Sequence, residues 1–270
     1  MNRGSFCSNT ALQIMSVTSS PISSAFKEVE SLYEDLGKKQ AFWAAMTYPE
    51  YLDDQNEDAF FESGKAEVDA QIHRLSELNF SVNKGRCLDF GCGVGRLTNA
   101  LAQHFEEAVG VDVSSTMIDR ANEIKRASNT AFVLNKREDL AQLKSDTFDF
   151  VYSNKTIQHI PYPASKNYIK DFFRALKPGG LAVFLVHDCK HTEEGSLQFN
   201  FAKWYREKAR PFVKRLRGKP PVQIHPISKT NIEKFVHDAG GEILHCETDN
   251  SYTRRKRGNL RTWYWARKRS

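Results

Sequence analysis

The sequence predicts an α/β fold in which a mostly parallel β-sheet carries helices on both faces. Two observations predict it. Short apolar runs alternate with helical segments over residues 87–186, and strands separated in this way form the right-handed crossovers of a parallel sheet. The first run also passes directly into a glycine-rich turn and a helical pattern. Because ligands of such sheets bind where the strand order reverses, we expect a ligand site after the first strand.

The glycine-rich turn follows the apolar residues 87–90 and contains Gly91, Gly93 and Gly95. Glycine lets the backbone bend sharply and lets a ligand come within contact distance. A dinucleotide-binding fingerprint would have its third glycine one position later, where this chain has Arg96. The turn therefore predicts a nucleoside cofactor and disfavours hydride transfer to a nicotinamide.

Four further strands are predicted after this turn. The second strand ends in Asp112, 17 residues after Gly95, which is close to the roughly 20 residues expected for a carboxylate that binds ribose hydroxyls. Ser114 is the predicted N-cap of the next helix, and Val113 and Met117 are placed to flank an adenine ring. The remaining strands are predicted at 131–134, at 147–153 and, after a helix stop at 178–180, up to Val186.

In order, four motifs resemble those of the class I S-adenosylmethionine (SAM)-dependent methyltransferases: Asp-Phe-Gly-Cys-Gly-Val-Gly-Arg, Gly-Val-Asp-Val-Ser, Phe-Asp-Phe-Val-Tyr-Ser and Ala-Leu-Lys-Pro-Gly-Gly. The resemblance covers residues 64–267. It implies a Rossmann-like, seven-stranded, mostly parallel sheet whose last strand is antiparallel, with a final hairpin at 242–248 and 261–267. It also implies SAM as cofactor and S-adenosylhomocysteine (SAH) as product. The cofactor residues that it implies are Asp89, Gly91, Gly93, Gly95, Arg96, Asp112, Val113, Met117 and Asn154.

The adenine region departs from the family pattern. Members commonly place an acid two residues after the third strand, followed by a residue whose backbone N–H meets the adenine. The matching positions here are Lys136 and Arg137, so the acid is absent. Asn135 and Glu138 are the alternatives for contact with the adenine amino group, and a polar, solvated loop over 135–139 is the other interpretation.

The acceptor class is narrowed by missing motifs. The segment after the fourth strand lacks the Asn-Pro-Pro-Tyr type of sequence, which holds an adenine amine. It has no cysteine that would attack a pyrimidine ring. The paired-glutamate loop of the protein arginine enzymes is also missing. A small-molecule acceptor methylated on oxygen or nitrogen is therefore favoured, such as a sugar, a lipid head group or a secondary metabolite. The branch that the segment resembles places its acceptor contacts after the fourth and fifth strands, at Gln158, His159, His187 and Asp188.

Two histidines are the candidates for a general base. His159 and His187 carry an imidazole whose ordinary pKa near 6.5 allows it to take a proton at neutral pH. Either one could instead cap a helix or hold a structural hydrogen bond. The close sequence His187, Asp188, Cys189 and His191 lacks the carboxylates of a hard-ion site and the spaced pairs of a zinc site, so no metal is expected.

We expect one α/β domain over residues 63–270, preceded by a helical lid over 26–62 and a disordered leader over 1–25. The leader has no acidic residue and many Ser and Thr, but less arginine than a transit peptide usually holds. Residues 190–227 are predicted to form an inserted acceptor cap. Its aromatic residues alternate with bases, which suits an acceptor with an apolar body and an anionic or polar end; its expected contacts are Trp204, Tyr205 and His225.

Charge distribution leaves a second function open. The net charge is +6, but segments 203–219 and 254–269 carry +7 and +8, leaving −9 on the rest. A solvated face is the default for such runs; the alternative is a nucleic-acid methyltransferase or binding protein that uses both segments. A methyltransferase fold that keeps SAM without activity is a third possibility. The five cysteines lack paired spacing, which predicts a reducing compartment such as the cytoplasm. No apolar run approaches the roughly 18 residues of a membrane span, which predicts a soluble protein.

Overall fold

A computed structural model of the chain describes residues 22–46, 56–188, 222–249 and 261–270. Its helices are α1 (Ser24–Met46), α2 (Glu57–Glu77), α3 (Arg96–Leu101), α4 (Ser115–Glu123), α5 (Tyr162–Ala175) and α6 (Lys229–Asp238), with a short 3-10 helix at Ile157–His159. Its strands are β1 (Arg86–Phe90), β2 (Glu107–Asp112), β3 (Thr130–Leu134), β4 (Phe148–Ser153), β5 (Leu176–His187), β6 (Gly241–Thr248) and β7 (Arg261–Lys268).

The seven strands form one sheet in the order β3-β2-β1-β4-β5-β7-β6. Strands β1 to β5 pair in parallel, whereas β7 is antiparallel to both β5 and β6. The predicted Rossmann-like, mostly parallel seven-stranded sheet with an antiparallel last strand is confirmed. The strand order reverses between β1 and β4, so the carboxyl ends of these two strands form the cleft in which ligands of such sheets bind.

Both faces of the sheet are covered by helices because successive side chains of a strand point to opposite faces. In β1, Leu88 packs into the core under α5 and α6, whereas Cys87 packs into the core under α2 and α3. Strand β4 is buried along its whole length, as expected for a central strand covered on both sides.

Three element bounds differ from the sequence prediction. Helix α2 begins at Glu57, inside the segment 26–62 expected to form the lid, and its buried residues Phe60 and Phe61 pack in the same cluster as residues of α1. Strand β5 includes the predicted helix stop at 178–180. Its pairing with β4 shifts over these residues, because Leu176 lies opposite Phe148 and the regular register resumes only at Leu181. Helix α5 ends just before them, at Ala175.

Helix α1 is held against the N-terminus of α4 by one carboxylate. Glu34 accepts hydrogen bonds from the hydroxyls of Ser114 (2.8 Å) and Ser115 (3.2 Å) and from both the hydroxyl and the backbone N–H of Thr116. An acid is favourable there because a helix N-terminus carries partial positive charge and unpaired N–H groups. Burial raises the pKa of Glu34, but the hydrogen bonds from Thr116 and Ser114 outweigh it and lower the pKa to about 2.

We predict that Glu34→Gln lowers the free energy of unfolding by roughly 1.5 to 3 kcal/mol at neutral pH, the range for hydrogen bonds to a charged group. Because folding lowers the pKa of Glu34 from 4.5 to about 2, the stabilisation is present above pH 4.5 and is lost as the pH falls towards 2. Urea unfolding of both proteins at neutral pH and near pH 3 measures this, and the difference should shrink at the lower pH. Glu28→Gln, on an exposed position of α1, is the matched control; an equal loss there would contradict the role given to Glu34.

Candidate active site

The candidate site is a pocket at the carboxyl ends of β1, β2 and β4, with α1 forming its opposite wall. It encloses about 1070 Å³ when the space open at its mouth is included, which matches the upper end of the range for ligand pockets. Apolar and polar groups alternate in its walls. The sheet and its loops contribute Phe90, Gly91, Cys92, Gly93, Arg96, Asp112, Val113, Met117, Asn135, Asn154, Lys155, Thr156, Gln158 and His159, and α1 contributes Phe26, Val29, Tyr33, Ala44 and Ala45.

The glycine loop brings backbone, rather than side chains, to the pocket wall. Gly91 has φ +76°, and a side chain there would overlap Thr156 of the loop after β4. Gly95 has φ +83° and starts α3, where a Cβ atom would lie 2.6 Å from the Phe132 ring. Gly91 and Gly93 line the pocket, whereas Gly95 lies behind it. The third glycine is therefore required for the turn and its packing.

Asp112 lies at the end of β2, with its carboxylate held by two backbone N–H groups. Gly93 donates to Oδ2 at 2.9 Å, and Ser114 donates to Oδ1 at 3.0 Å. Burial raises the pKa of Asp112, and the two hydrogen bonds oppose that shift. Val113 and Met117 lie in the same wall. Tyr33 of α1, which sequence reasoning missed, is close enough that burial and the charge of Asp112 both raise its pKa, so it stays a neutral phenol.

Asp89 lies beneath the glycine loop and not in the pocket wall. Its side chain is 1% exposed and accepts a hydrogen bond from the hydroxyl of Thr98 at 2.6 Å, which joins β1 to α3. Burial is the main reason that its pKa rises to about 7. The position just before the glycines suggested a cofactor contact, but the side chain of Asp89 points away from the pocket into the strand–helix packing.

The wall after β3 is formed by Asn135. Arg137 and Glu138 do not line the pocket: Arg137 pairs with Asp139 at 2.7 Å, and Glu138 accepts a hydrogen bond from the backbone N–H of Ser23 at 3.0 Å. The structure thus corrects the expectation for Glu138, whose side chain is held by Ser23 and not by the pocket. The expectation for Arg137 concerned its backbone N–H, and it stays a prediction. Asn135 is 2% exposed, and its Nδ2 donates to the Asp139 carbonyl at 3.0 Å, whereas no described residue hydrogen-bonds its Oδ1.

A buried charge cluster forms the pocket wall between α3 and β4. Arg96 is 4% exposed and pairs with Glu67 of α2 at 2.8 Å. Glu67 also accepts a hydrogen bond from the amide of Asn154, whose own Oδ1 has no hydrogen-bond partner among the described residues. Lys155 follows in the left-handed region, with φ +61°, and its burial lowers its pKa against the opposing effect of Glu67. Sequence reasoning missed Glu67 and Lys155, since no local pattern marks either.

His159 is fixed by hydrogen bonds to both ring nitrogens. Its Nδ1 lies 2.7 Å from the carbonyl oxygen of Gln223, and its Nε2 lies 2.8 Å from the amide nitrogen of Gln158. Its ring centroid is 6.0 Å from that of Tyr33. Sequence reasoning missed Gln223, which lies 64 residues away along the chain.

His187 lies deeper than His159, at the end of β5. It is 4% exposed, does not line the pocket, and burial is the main cause that lowers its pKa to about 4, with Arg261 and His159 adding to the shift. It is therefore neutral at physiological pH. Asp188 follows it, half-buried and also outside the pocket wall.

The end of the predicted acceptor cap lies across the ends of β4 and β5. The backbone N–H of His225 donates to the Gln158 carbonyl at 2.7 Å, and that of Ile227 donates to the His187 carbonyl at 2.9 Å. His225 reaches the site through its backbone and is not part of the pocket wall. Trp204, Tyr205, Cys189 and His191 lie outside the described residues.

The described part of the second basic segment uses its cations for internal contacts. Arg261 pairs with Asp249 at 2.7 Å, Lys268 pairs with Asp146 at 2.6 Å, and Arg267 donates to the Ser81 carbonyl at 3.3 Å. In the four described stretches of chain, no three His, Cys, Asp or Glu side chains cluster as metal ligands. No helix in those stretches has the length and apolar character needed to cross a membrane.

Curated relatives align with part of the chain. Ubiquinone biosynthesis O-methyltransferase of Methylococcus capsulatus is 36% identical over 101 residues, covering 37% of this chain and 42% of that protein. The enzyme of the same name from Hydrogenovibrio crunogenus is 31% identical over 122 residues, covering 42% and 50%. The chain thus spans half or less of the length of these relatives.

Solved structures resemble the fold over more of the chain. Magnesium protoporphyrin IX methyltransferase from Synechocystis PCC 6803, solved with bound SAH, has a TM-score of 0.59 at 18% identity and covers 91% of this chain and 100% of that one. A SAM-dependent methyltransferase from Methanosarcina mazei has a TM-score of 0.54 at 20% identity, covering 70% and 94%. A [4+2]-cyclase is also similar, with a TM-score of 0.51 at 16% identity, covering 68% and 74%, so the likeness shows the fold alone.

The family is shown by a whole-domain match. The model of a family described as a methyltransferase domain matches residues 60–269, which include the glycine loop, Asp112 and the final hairpin. The start of this match lies three residues before the domain start expected from the sequence. The chain therefore belongs to the methyltransferase-domain family and has the fold of the SAM-dependent methyltransferases.

Proposed function

We propose that this enzyme transfers the methyl group of SAM to an oxygen or nitrogen atom of a small molecule, such as a sugar, a lipid head group or a secondary metabolite. The observation that carries the proposal is that His159 lines the same pocket as the glycine loop and Asp112, beneath a wall formed by α1. A small molecule suits a pocket walled in this way. The curated relatives named as O-methyltransferases support this acceptor class.

The residues of the cofactor side fit SAM. Asp112, oriented by Gly93 and Ser114, would accept from the ribose hydroxyls, and the orphaned Oδ1 of Asn135 would accept from the adenine amino group. Val113 and Met117 supply apolar walls for the adenine, and Arg96 would meet the carboxylate of the methionine part. When bound, SAM supplies an electrophilic methyl group on a sulfonium.

The acceptor side supplies positioning and a base. A carbonyl oxygen only accepts hydrogen bonds, so Nδ1 of His159 carries the proton that it donates to Gln223. Nε2 is then the basic atom of a neutral imidazole, and it faces the pocket wall beside Gln158. We assign the base to His159 because it lines the pocket, whereas His187 is set back from it.

Two flanking segments complete the proposal. Helix α1 forms the inner face of a lid over 26–62, because five of its side chains line the pocket and Glu34 holds it on α4. Segment 190–227 serves as the acceptor cap, because its described end is hydrogen-bonded to Gln158, His159 and His187. Lys155, which also lines the pocket, suits an acceptor with an anionic or polar end.

Asp112→Asn is predicted to weaken SAH binding by about 10- to 100-fold, because a charged acceptor for the ribose hydroxyls becomes a neutral amide of the same shape. Isothermal titration with SAH measures this without turnover. Asp119→Asn, an exposed position on α4, makes the same charge change away from the pocket and should leave the affinity unchanged. A folded Asp112→Asn protein with unaltered SAH affinity would exclude Asp112 from the cofactor site.

His159→Ala is predicted to slow methyl transfer by about 10² to 10⁴, the range for loss of a general base, while SAH affinity changes less than threefold. Single-turnover transfer of a radiolabelled methyl group to the identified acceptor gives the rate. His73→Ala on α2, where the side chain is 74% exposed, is the control. Loss of rate below threefold in His159→Ala would assign a structural role to this histidine, and His187→Ala would be tested next.

The acceptor itself is identified by offering tritiated SAM with separate pools of small metabolites and of nucleic acid. We expect label in the metabolite pool. The nucleic-acid alternative predicts label in RNA or DNA, with binding that falls steeply with added salt because several phosphate contacts release counterions. Binding without any label in either pool would indicate a fold that has kept SAM and lost transfer.

A further inference from the structure

The side-chain amide of Gln158 has a hydrogen-bonded nitrogen and an oxygen without a described partner. Its nitrogen donates to Nε2 of His159 at 2.8 Å. Its oxygen, Oε1, is buried and has no hydrogen-bond partner among the described residues. The side chain is 7% exposed, so water is largely excluded. Burying an acceptor without a donor is energetically unfavourable, and such a group calls for a functional reason.

The orientation of this amide follows from the tautomer of His159. Gln223 requires a proton on Nδ1, so Nε2 of the neutral ring presents a lone pair and needs a donor opposite it. The reverse orientation would place Oε1 against that lone pair, which is repulsive. The reverse orientation of the amide becomes favourable only when Nε2 of His159 is protonated, because the imidazolium donates from both ring nitrogens. The two amide ends thus match the two protonation states of the ring.

We propose that Gln158 is a positioning residue that follows the proton on His159, with its amide nitrogen holding the neutral ring and its oxygen Oε1 receiving the Nε2–H of the imidazolium. During the reaction the acceptor hydroxyl or ammonium displaces the amide from Nε2. The acceptor's bond to hydrogen breaks, the Nε2–H bond forms, and the amide turns over so that Oε1 accepts from it. Loss of that proton to solvent and the opposite turn restore the starting state.

The neighbouring groups make this arrangement specific to His159. The backbone of Gln158 is held by the N–H of His225 at 2.7 Å, so the amide turns while its main chain stays fixed. Tyr33 on α1 and His187 on β5 are two titratable groups near the ring. Tyr33 stays a neutral phenol and His187 a neutral imidazole at physiological pH, so neither competes with Gln158 for the new proton.

Gln158→Glu tests the inference in the protein without SAM or acceptor. A carboxylate next to Nε2 favours the charged ring, so the protonation constant of His159 should rise at least tenfold. Nitrogen-15 NMR of the imidazoles, with the His159 signals assigned by their loss in His159→Ala, should show one protonated nitrogen at neutral pH in the wild type and two in Gln158→Glu. Gln103→Glu, at an exposed position, is the control. Unchanged His159 signals in a folded Gln158→Glu protein would overturn the inference.

Gln158→Met provides a second test that keeps the length of the side chain and removes both amide ends. We expect kcat to fall about tenfold while KM for the acceptor stays within twofold. A raised KM with unchanged kcat would instead make Gln158 an acceptor contact and overturn its role as a positioning residue. The inference rests on the proposal that His159 is the base. The two proposals fail in different measurements. The role of the base is tested by turnover in His159→Ala, whereas the role of Gln158 is tested by the imidazole signals, which need no turnover.

Discussion

The two hydrogen bonds accepted by the Asp112 carboxylate are the interaction on which the proposed cofactor side of the pocket depends. One holds Gly93 of the loop after β1, and the other fixes Ser114 at the start of α4. Ser114 in turn caps α4 and donates to Glu34 of α1. The glycine loop, β2 and α1 are therefore joined through Asp112 and Ser114. A change in the Asp112 carboxylate would alter all three.

On the proposed acceptor side of the pocket, the two histidines are neutral groups. His159 is fixed between the Gln158 amide and the Gln223 carbonyl, and His187 is kept neutral by burial. Ionised groups are concentrated on the other side, where Arg96 and Glu67 pair in a buried position. This separation suits methyl transfer, because a base must be neutral before it acts and a charged cofactor needs fixed counter-charges.

The fold alone does not determine the chemistry, since similar sheets occur in methyltransferases and in a [4+2]-cyclase. The family match establishes a methyltransferase domain, and the geometry around His159 supports the acceptor class proposed above. Three cations of the second basic segment, Arg261, Arg267 and Lys268, make contacts within the fold, which favours the default interpretation of this segment over a polyanion site.

The sequence by itself determined the parallel sheet, the glycine loop and Asp112, because apolar periodicity and positive-φ turns are local properties of the chain. It misplaced Asp89 and Glu138, since whether a polar side chain faces a pocket or a neighbour depends on partners such as Thr98 and Ser23. Only the tertiary structure decided the state of His159. Its tautomer is set by a carbonyl 64 residues away, and contacts across such a distance arise from the packing of the loops after β4 and β5.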